Sequence, residues 1–206
     1  MSERVTRPER TLPSGAARPV YSLETLLDVA VRVFTERGYD GASFAHLSAA
    51  SGLSRSSIFH HFESKEQMLR LGLEHALDPL MGSLDEEGAL TGPALDRLTY
   101  LVRRNIAIMA ERLPYVTLLL NVHGNTETER WALEQRRTYD KRVAQVVEDA
   151  IAEGTVRADL DARTTARLLF GMINSAREWY RPERHTTPDE LAAQVCSLVL
   201  DGIRVR

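Results

Sequence analysis

The chain has 206 residues, of which 43% are hydrophobic and 27% are charged, and its formal net charge is −3. This composition is ordinary for a globular protein with one large core or two small domains. No apolar run is long enough to cross a membrane, and no apolar signal region opens the chain, so we expect a cytoplasmic protein without a membrane segment. The single cysteine, Cys196, excludes a disulfide within the chain.

The first segment, residues 1–20, is predicted to be a disordered arm. It contains three Pro and four Arg but few large apolar side chains, so it cannot bury enough surface to fold by itself. Two interpretations remain open. The arm is either a tail without a binding role or a basic strand that adds contacts to nucleic-acid phosphates or to a minor groove.

The segment from Ser43 to Phe62 predicts a helix, a tight turn and a second helix. Ser43 and Ser54 can each cap a helix by accepting a hydrogen bond from a free backbone N–H. Gly52 lies where the chain must reverse, and glycine tolerates the positive φ that such a turn needs. Ile58 and Phe62 recur four residues apart and are expected to point inward. This arrangement places a short helix in the major groove of DNA in many proteins.

Amphipathic helices flank this motif on both sides. The segment 22–38 begins at a capping serine, carries apolar residues on one face and stops at a glycine. After the motif, Ser64 and Gln67 fit a capping box in which each side chain satisfies the backbone N–H of the other. We expect the helix that they start to end at Pro79 and Gly82. Together these elements predict a three-helix DNA-binding unit at residues 21–68.

The rest of the chain also follows helical spacing. Residues 82–92 are predicted to form a loop, and no convincing strand, repeat or low-complexity segment follows. The predicted helices cover residues 93–114, 115–122, 126–153, 161–180 and 188–203. The fold class is therefore predicted to be all-α, with the helix-turn-helix domain followed by a helical C-terminal domain at residues 69–206.

Three stretches of the N-terminal half resemble the DNA-binding domain of the tetracycline-repressor (TetR) family. They are Val33-Phe34-x-x-x-Gly38-Tyr39-x-x-Ala42-Ser43, Ala50-Ser51-Gly52-Leu53-Ser54 and Ile58-Phe59-His60-His61-Phe62-x-Ser64-Lys65. The resemblance implies a homodimeric transcriptional regulator, usually a repressor, with a small-molecule pocket in its C-terminal domain. It also implies two partners, double-stranded operator DNA and a small-molecule effector.

The resemblance assigns the residues that would approach DNA. Ser43 and Lys65 match phosphate-binding positions, and the others match the recognition helix and its end. The full set is Ser43, Ser54, Arg55, Ser56, Ser57, Phe59, His60, His61 and Lys65. The chain departs from the family pattern twice: Phe59 stands where tyrosine is common, and Ser56 where glycine is frequent. Residues 21–70 carry five Lys or Arg against six Asp or Glu, so the unit is not basic overall and its cations must be well placed.

The last two predicted helices carry more apolar surface than one subunit can easily hide. Large apolar faces mark interfaces, and the family dimerises through these helices. The alternative is that the same residues pack within the monomer. The residues concerned are Leu168, Met172, Leu191, Val195, Leu198, Val199 and Ile203.

Polar side chains interrupt two apolar helices of the C-terminal half. They are either solvated faces or the polar groups of a mostly apolar ligand pocket. The segments 171–182 and 187–192 resemble the subset of TetR regulators that sense acyl-CoA or related thioesters. On that hypothesis an anionic head would bind arginines and an acyl chain would bind leucines and methionines. The candidate ligand-binding residues are Arg103, Arg104, Met109, Leu118, Leu119, Met172, Asn174 and Arg177.

Other kinds of site find little support in the sequence. The spacing of His46, His60 and His61 does not suit a metal, so no metal and no cofactor are predicted. No nucleophile or nucleotide-binding motif is present, and we predict that the protein is not an enzyme. Cys196 is interpreted as a buried small hydrophobe. The alternative function from a different class is a helical small-molecule carrier or enzyme that has lost DNA binding.

Overall fold

The computed structural model describes residues 22–181 and 186–205, and within these ranges the chain forms helices and no strand. The all-α prediction is confirmed. The predicted arm at residues 1–20 lies outside the described residues. The ten α-helices are α1 Leu23–Arg37, α2 Phe44–Ser51, α3 Arg55–Phe59, α4 Lys65–Gly82, α5 Glu87–Leu90, α6 Ala94–Glu111, α7 Leu113–Leu120, α8 Glu127–Ala152, α9 Ala162–Trp179 and α10 Pro188–Ile203.

The helix boundaries of the N-terminal domain follow their predicted caps. The side chains of Ser22, Ser43 and Ser54 each accept a hydrogen bond from a backbone N–H in the first turn of α1, α2 and α3. Gly52 closes α2 with a φ of 71°, in the left-handed region that glycine enters without a steric penalty. Ile58 is fully buried beneath the turn, which holds α3 against α2.

The predicted end of α4 is correct at Gly82 and wrong at Pro79, which does not interrupt the helix. The helix continues to Gly82, with Pro79 inside it. A proline has no N–H to donate to the carbonyl four residues earlier, which here belongs to His75. The guanidinium of Arg112 donates to that carbonyl at 3.2 Å, so the acceptor freed by the proline keeps a partner from outside the helix.

The capping box predicted at the start of α4 is only half correct. The Ser64 hydroxyl accepts from the Gln67 N–H at 3.0 Å, as expected. The Gln67 side chain, however, accepts from the N–H of Glu63 at 2.7 Å rather than from that of Ser64. The Gln67 side chain therefore satisfies the backbone N–H of the residue before the cap and fixes the backbone just before α4 begins.

The predicted loop at residues 82–92 contains helical structure. A 3₁₀ turn at Ser83–Asp85 is followed by the short helix α5. The ring of Tyr100 packs against Gly88 so closely that a Cβ there would lie 2.5 Å from the ring. Tyr100 also donates to Glu86, and Arg104 pairs with the same carboxylate at 3.0 Å. These contacts with α6 order a segment whose local sequence resembles a loop.

Two apolar cores meet along α4 and α7. The N-terminal core joins α1–α3 to most of α4 and to Tyr115, Leu118 and Leu119 of α7. The C-terminal core is built from α6, α8, α9 and α10. Helix α7 therefore lies in the C-terminal half of the chain but packs as part of the DNA-binding domain. Its position makes it a bridge between the two halves.

Gly72 lies where α1, α4 and α7 approach most closely. A Cβ at this position would lie 2.9 Å from Cγ2 of Val31 and 3.1 Å from Cδ2 of Leu118, both in the core. We expect Gly72→Ala to lower the free energy of unfolding by about 1–3 kcal/mol, because overpacking outweighs the helix propensity gained. Urea denaturation followed by circular dichroism measures the change.

Gly82→Ala is the matched control. Gly82 has helical φ and ψ of −59° and −34°, and a Cβ there would meet nothing within 4 Å. We expect this variant to be stabilised by up to about 1 kcal/mol. Equal stabilisation of both variants would contradict the close packing described at Gly72.

Candidate DNA-binding and effector sites

The recognition helix α3 begins with a cluster of serine hydroxyls. The Ser54 hydroxyl lies 2.9 Å from that of Ser56 and 2.8 Å from that of Ser57, and it also accepts from the Ser57 N–H at 3.1 Å. Ser54 and Ser56 remain exposed. The first turn of α3 thus presents hydroxyls that can donate to or accept from an approaching DNA strand.

An aromatic pair supports the side chain of Arg55. The rings of Phe44 in α2 and Phe59 in α3 are stacked with centroids 4.6 Å apart. The Arg55 guanidinium lies 5.0 Å from the Phe44 centroid and 5.4 Å from that of Phe59. Such cation–π contacts hold a charged group without consuming its hydrogen-bond donors. All the guanidinium N–H groups of Arg55 therefore stay available for a base edge or phosphate.

Lys65 makes its contacts inside the domain. Its ammonium donates to the carbonyls of Tyr39 at 2.8 Å and Ala42 at 2.9 Å, and it lies 4.2 Å from the centre of the Tyr39 ring. These contacts fasten the α1–α2 connection to the start of α4. An ammonium has three donors, so one remains beyond the two that the carbonyls occupy.

The other predicted DNA-contacting residues lie around this helix. Ser43 is exposed at the N-cap of α2, where its hydroxyl accepts from the His46 N–H and His46 Nδ1 accepts from the Ser43 N–H, both at 3.3 Å. His60 is exposed at the end of α3, and His61 is half-buried. The structure thus brings the nine predicted positions together around α3 and the starts of α2 and α4.

A central cavity of about 50 Å³ lies among α4, α6, α7, α8 and α9. Apolar side chains dominate its wall, and five residues contribute polar groups: Asn105, Arg136, Tyr139, Asp140 and Asn174. Three of the predicted ligand-binding residues, Met109, Leu119 and Asn174, also line it. The cavity is mostly apolar with a few convergent polar groups, which is the usual composition of a small-molecule site.

The remaining predicted ligand residues lie elsewhere. Leu118 faces α4 near Gly72, and Arg104 is held by Glu86. Arg103 is exposed. Arg177 donates to the Asn121 side chain at 2.8 Å, which ties α9 to the end of α7. Met172 lines a separate groove between α9 and α10.

Four polar residues of the cavity wall are absent from the predicted ligand-binding set: Asn105 on α6, and Arg136, Tyr139 and Asp140 on α8. Burial raises the pKa of Tyr139 to about 12, although the nearby polar side chains of Asn105 and Ser83 partly offset this rise. Desolvation lowers the pKa of Arg136 and raises that of Asp140, whose charges act on each other across one helical turn. No local signal in the sequence distinguished Arg136 and Asp140 from the solvated charges of the same helix.

Comparison with known proteins decides the family. Residues 26–71 match the family model for bacterial regulatory proteins of the tetR family, and residues 91–203 match the tetracyclin repressor-like C-terminal domain. The chain belongs to the TetR family of transcriptional regulators. Both halves of this TetR protein are therefore accounted for by the family, and the resemblance seen in the helix-turn-helix residues is confirmed.

Individual TetR relatives are similar over most of their length. The HTH-type transcriptional repressor KstR2 of Rhodococcus jostii is 32% identical over 181 residues, which cover 86% of this chain and 89% of the relative. A TetR-family regulator of Streptomyces coelicolor A3 is 55% identical, with a TM-score of 0.83 and coverage of 92% and 94%. AibR in complex with isovaleryl coenzyme A and operator DNA is 22% identical, with a TM-score of 0.73 and coverage of 86% and 97%, a likeness of fold.

Among the residues that the structure describes, no helix is both long and apolar enough to span a membrane.

The Arg55 side chain allows a test of base recognition. We expect Arg55→Ala to weaken binding to the operator by about 1–3 kcal/mol relative to non-specific DNA, because a guanidinium can donate two hydrogen bonds to a guanine edge. Lys65→Ala should weaken operator binding and non-specific DNA binding alike and reduce the dependence of the affinity on salt concentration. It should also lower the melting temperature, since it removes the contacts with Tyr39 and Ala42. Fluorescence anisotropy at several salt concentrations measures these changes on an operator recovered by selection from genomic fragments.

Phe44→Leu tests whether the aromatic pair positions Arg55. We expect it to lose part of the specificity that Arg55→Ala loses, and to have no further effect when both substitutions are combined, because Phe44 acts through Arg55. Additive losses in the double variant would show that Phe44 contributes independently. An equal loss of specific and non-specific binding by Arg55→Ala would show that this side chain contacts phosphate alone.

Proposed function

We propose that the protein is a homodimeric repressor that leaves a palindromic operator when a lipid-derived thioester, an acyl-CoA or a close analogue, binds in each subunit. The observation that carries this proposal is the position of the central cavity. Its wall includes Ala76 and Leu80 of α4 and Val116 and Leu119 of α7, the two helices that also belong to the DNA-binding core. A ligand in this cavity touches the same elements that hold the recognition helix.

The size of the cavity supports a ligand-dependent change of shape. Pockets for small molecules commonly enclose roughly 300 Å³ or more, several times the cavity present here. A ligand must therefore displace part of the wall. Such displacement gives the differential affinity that a ligand needs in order to shift a conformational equilibrium.

Three contacts offer a path for that displacement to α1 and α2. Tyr115 of α7 donates to Asp28 of α1 at 2.5 Å, and its ring stacks on that of His75 in α4. Asn125 donates to Asp40 at 2.9 Å. Movement of α7 would strain or release these bonds and so change the tilt of the DNA-binding domain.

The chemistry of the wall supports an elongated, mostly apolar effector. Met109, Leu119 and Phe170 offer an apolar surface to an acyl chain, and Asn174 and Tyr139 offer polar atoms. The Tyr139 hydroxyl is buried and has no hydrogen bond of ordinary geometry among the described residues. A thioester or keto oxygen would supply its partner. The relative AibR was solved with an acyl-CoA, isovaleryl coenzyme A, which favours the same ligand class.

The proposed dimer uses the faces of α9 and α10. Between these helices lies an apolar groove of about 200 Å³ lined by Ile106, Met172, Trp179, Leu191 and Leu198, among others. Leu191 and Val195 are buried inside the subunit, whereas Leu168 and Leu198 are 71% and 72% exposed. A second copy related by a twofold axis would cover the exposed leucines and place two recognition helices on successive major grooves.

Leu198→Arg tests the interface. A buried charge without a partner in an apolar contact costs several kcal/mol per copy, so we expect the variant to be monomeric at micromolar concentration and to lose operator binding. Light scattering after size exclusion measures the mass. Leu90→Arg is the control, because Leu90 is 54% exposed on α5 and should remain neutral. A dimeric Leu198→Arg variant would place the interface elsewhere.

A chain-length series tests the effector class. Each buried CH₂ contributes ~0.8 kcal/mol, so each two-carbon extension of an acyl-CoA should lower the concentration for half-release of operator about tenfold until the cavity is full. The matching free acids and planar cationic drugs are assayed beside it. A response to the cationic drugs alone would replace the lipid proposal with a multidrug sensor, and a flat response to all three would refute it.

The alternative function, a carrier or enzyme without DNA binding, is separated from the regulator by one experiment. A gel shift against fragmented genomic DNA at ~50 mM salt gives phosphate contacts their greatest strength. We expect retardation of fragments that contain one palindromic sequence. No retardation of any fragment would favour the carrier.

A further inference from the structure

A groove on the outside of the C-terminal domain gathers positive charge between α8 and α9. Its volume is about 240 Å³, and Asp140 and Ala144 contribute to its floor. The cations that line it are Arg137, Lys141, Arg163 and Arg167. Since the whole chain has a net charge of −3, this concentration does not reflect a generally basic protein.

The four cations form two pairs, one on each helix, that face the same groove. Arg137 and Lys141 are four residues apart on α8, and Arg163 and Arg167 are four residues apart on α9. Residues at this spacing share one face of a helix. Two adjacent helices therefore each present a pair of cations, one turn apart, to the same groove.

Little negative charge neutralises this cluster. Arg137 has an exposed ion pair with Glu134 at 3.2 Å. Within the described residues, the other three cations have no carboxylate within ion-pair distance, although Asp161 lies near enough to Arg163 and Arg167, and Asp140 near enough to Arg167, to interact with them electrostatically. Like charges held together repel, and an anion with several negative oxygens would remove that cost.

The groove and the central cavity lie next to each other and share one lining residue. Asp140 lines both, and Arg136, on the preceding turn of α8, lines the cavity. A ligand whose apolar end occupies the cavity and whose other end leaves it beside Asp140 would reach Arg137, Lys141 and Arg167. The required ligand has an apolar part and a phosphorylated part, joined by a linker that passes α8.

We propose that this basic groove binds the diphosphate of a nucleotide, either as the head group of a coenzyme A thioester or as a free nucleotide. The first of these two ligands, the coenzyme A thioester, rests on the proposed function. Guanidinium groups bind phosphate oxygens with paired hydrogen bonds, and three of the four cations are arginines. The groove would then discriminate a coenzyme A thioester from the free fatty acid with the same chain.

The test compares two ligands that differ only in the nucleotide. Release of operator is measured with octanoyl-CoA and with S-octanoyl-pantetheine, which has the same thioester but no nucleotide. The variant is Arg163→Gln combined with Arg167→Gln. We expect half-release of operator from this variant to need about ten- to a hundredfold more octanoyl-CoA, because two charge-assisted contacts are lost. The concentration of S-octanoyl-pantetheine for half-release should be unchanged.

Arg157→Gln is the matched control. Arg157 is exposed in the α8–α9 connection and pairs with Asp159, so its loss should leave both responses unchanged. Dimer mass and melting temperature of all variants show whether the double substitution disturbs the fold.

The outcomes separate this proposal from the proposed function. If octanoyl-CoA releases operator from the wild type and from the double variant at the same concentration, the groove has no role in binding the diphosphate of octanoyl-CoA. If no thioester releases operator from the wild type, the acyl-CoA function fails, and calorimetry with 3′-phospho-ADP tests the groove alone. If 3′-phospho-ADP binds to the wild type and not to the double variant, the groove is a free-nucleotide site. If 3′-phospho-ADP does not bind to the wild type, the proposal is overturned.

Discussion

The whole structure depends on α4 being shared by two cores. Its N-terminus positions Lys65 under the α1–α2 connection, its middle packs Gly72 against α1 and α7, and its last turns carry Ala76 and Leu80 to the wall of the central cavity. One helix thus contacts both the recognition unit and the wall of the central cavity. A displacement of α4 would therefore change the packing of both cores.

Contacts of His75 with Arg112 and Tyr115 stabilise α4 near Pro79, where one helical hydrogen bond is missing. Pro79 leaves a carbonyl on His75 without its helical donor, and Arg112 supplies one from the start of α7. The ring of His75 also stacks on Tyr115, which in turn bonds Asp28. The proline therefore adds a connection between α4 and α7 at the place where a kink or a break would be expected.

Electrostatic placement matters more than net charge in this TetR protein. The chain is slightly acidic, yet Arg55 is held on an aromatic pair at the DNA face and four cations share one groove on the other domain. Apart from Arg137, which pairs with Glu134, these cations have no carboxylate within ion-pair distance among the described residues. Unoccupied donors suit phosphates and base edges, which are ligands with many acceptor oxygens or nitrogens.

Local sequence by itself determined the helices and the DNA-binding motif. Caps at Ser22, Ser43 and Ser54, the reversal at Gly52 and the period of the apolar residues depend on neighbours within a few positions, and all were predicted correctly. The TetR resemblance followed from the same residues because the helix-turn-helix is a local motif. The candidate DNA contacts were likewise brought together by one short stretch of chain.

Tertiary structure alone decided the features that depend on distant partners. The continuation of α4 past Pro79 needs Arg112, and the order of residues 83–90 needs Tyr100 and Arg104. Arg104 was assigned to a ligand because it interrupts an otherwise apolar helix, whereas Arg136 and Asp140 reach the cavity from a helix that looks solvated in sequence. The periodicity of a helix shows which residues share a face, but only the packing of several helices decides which face encloses a cavity.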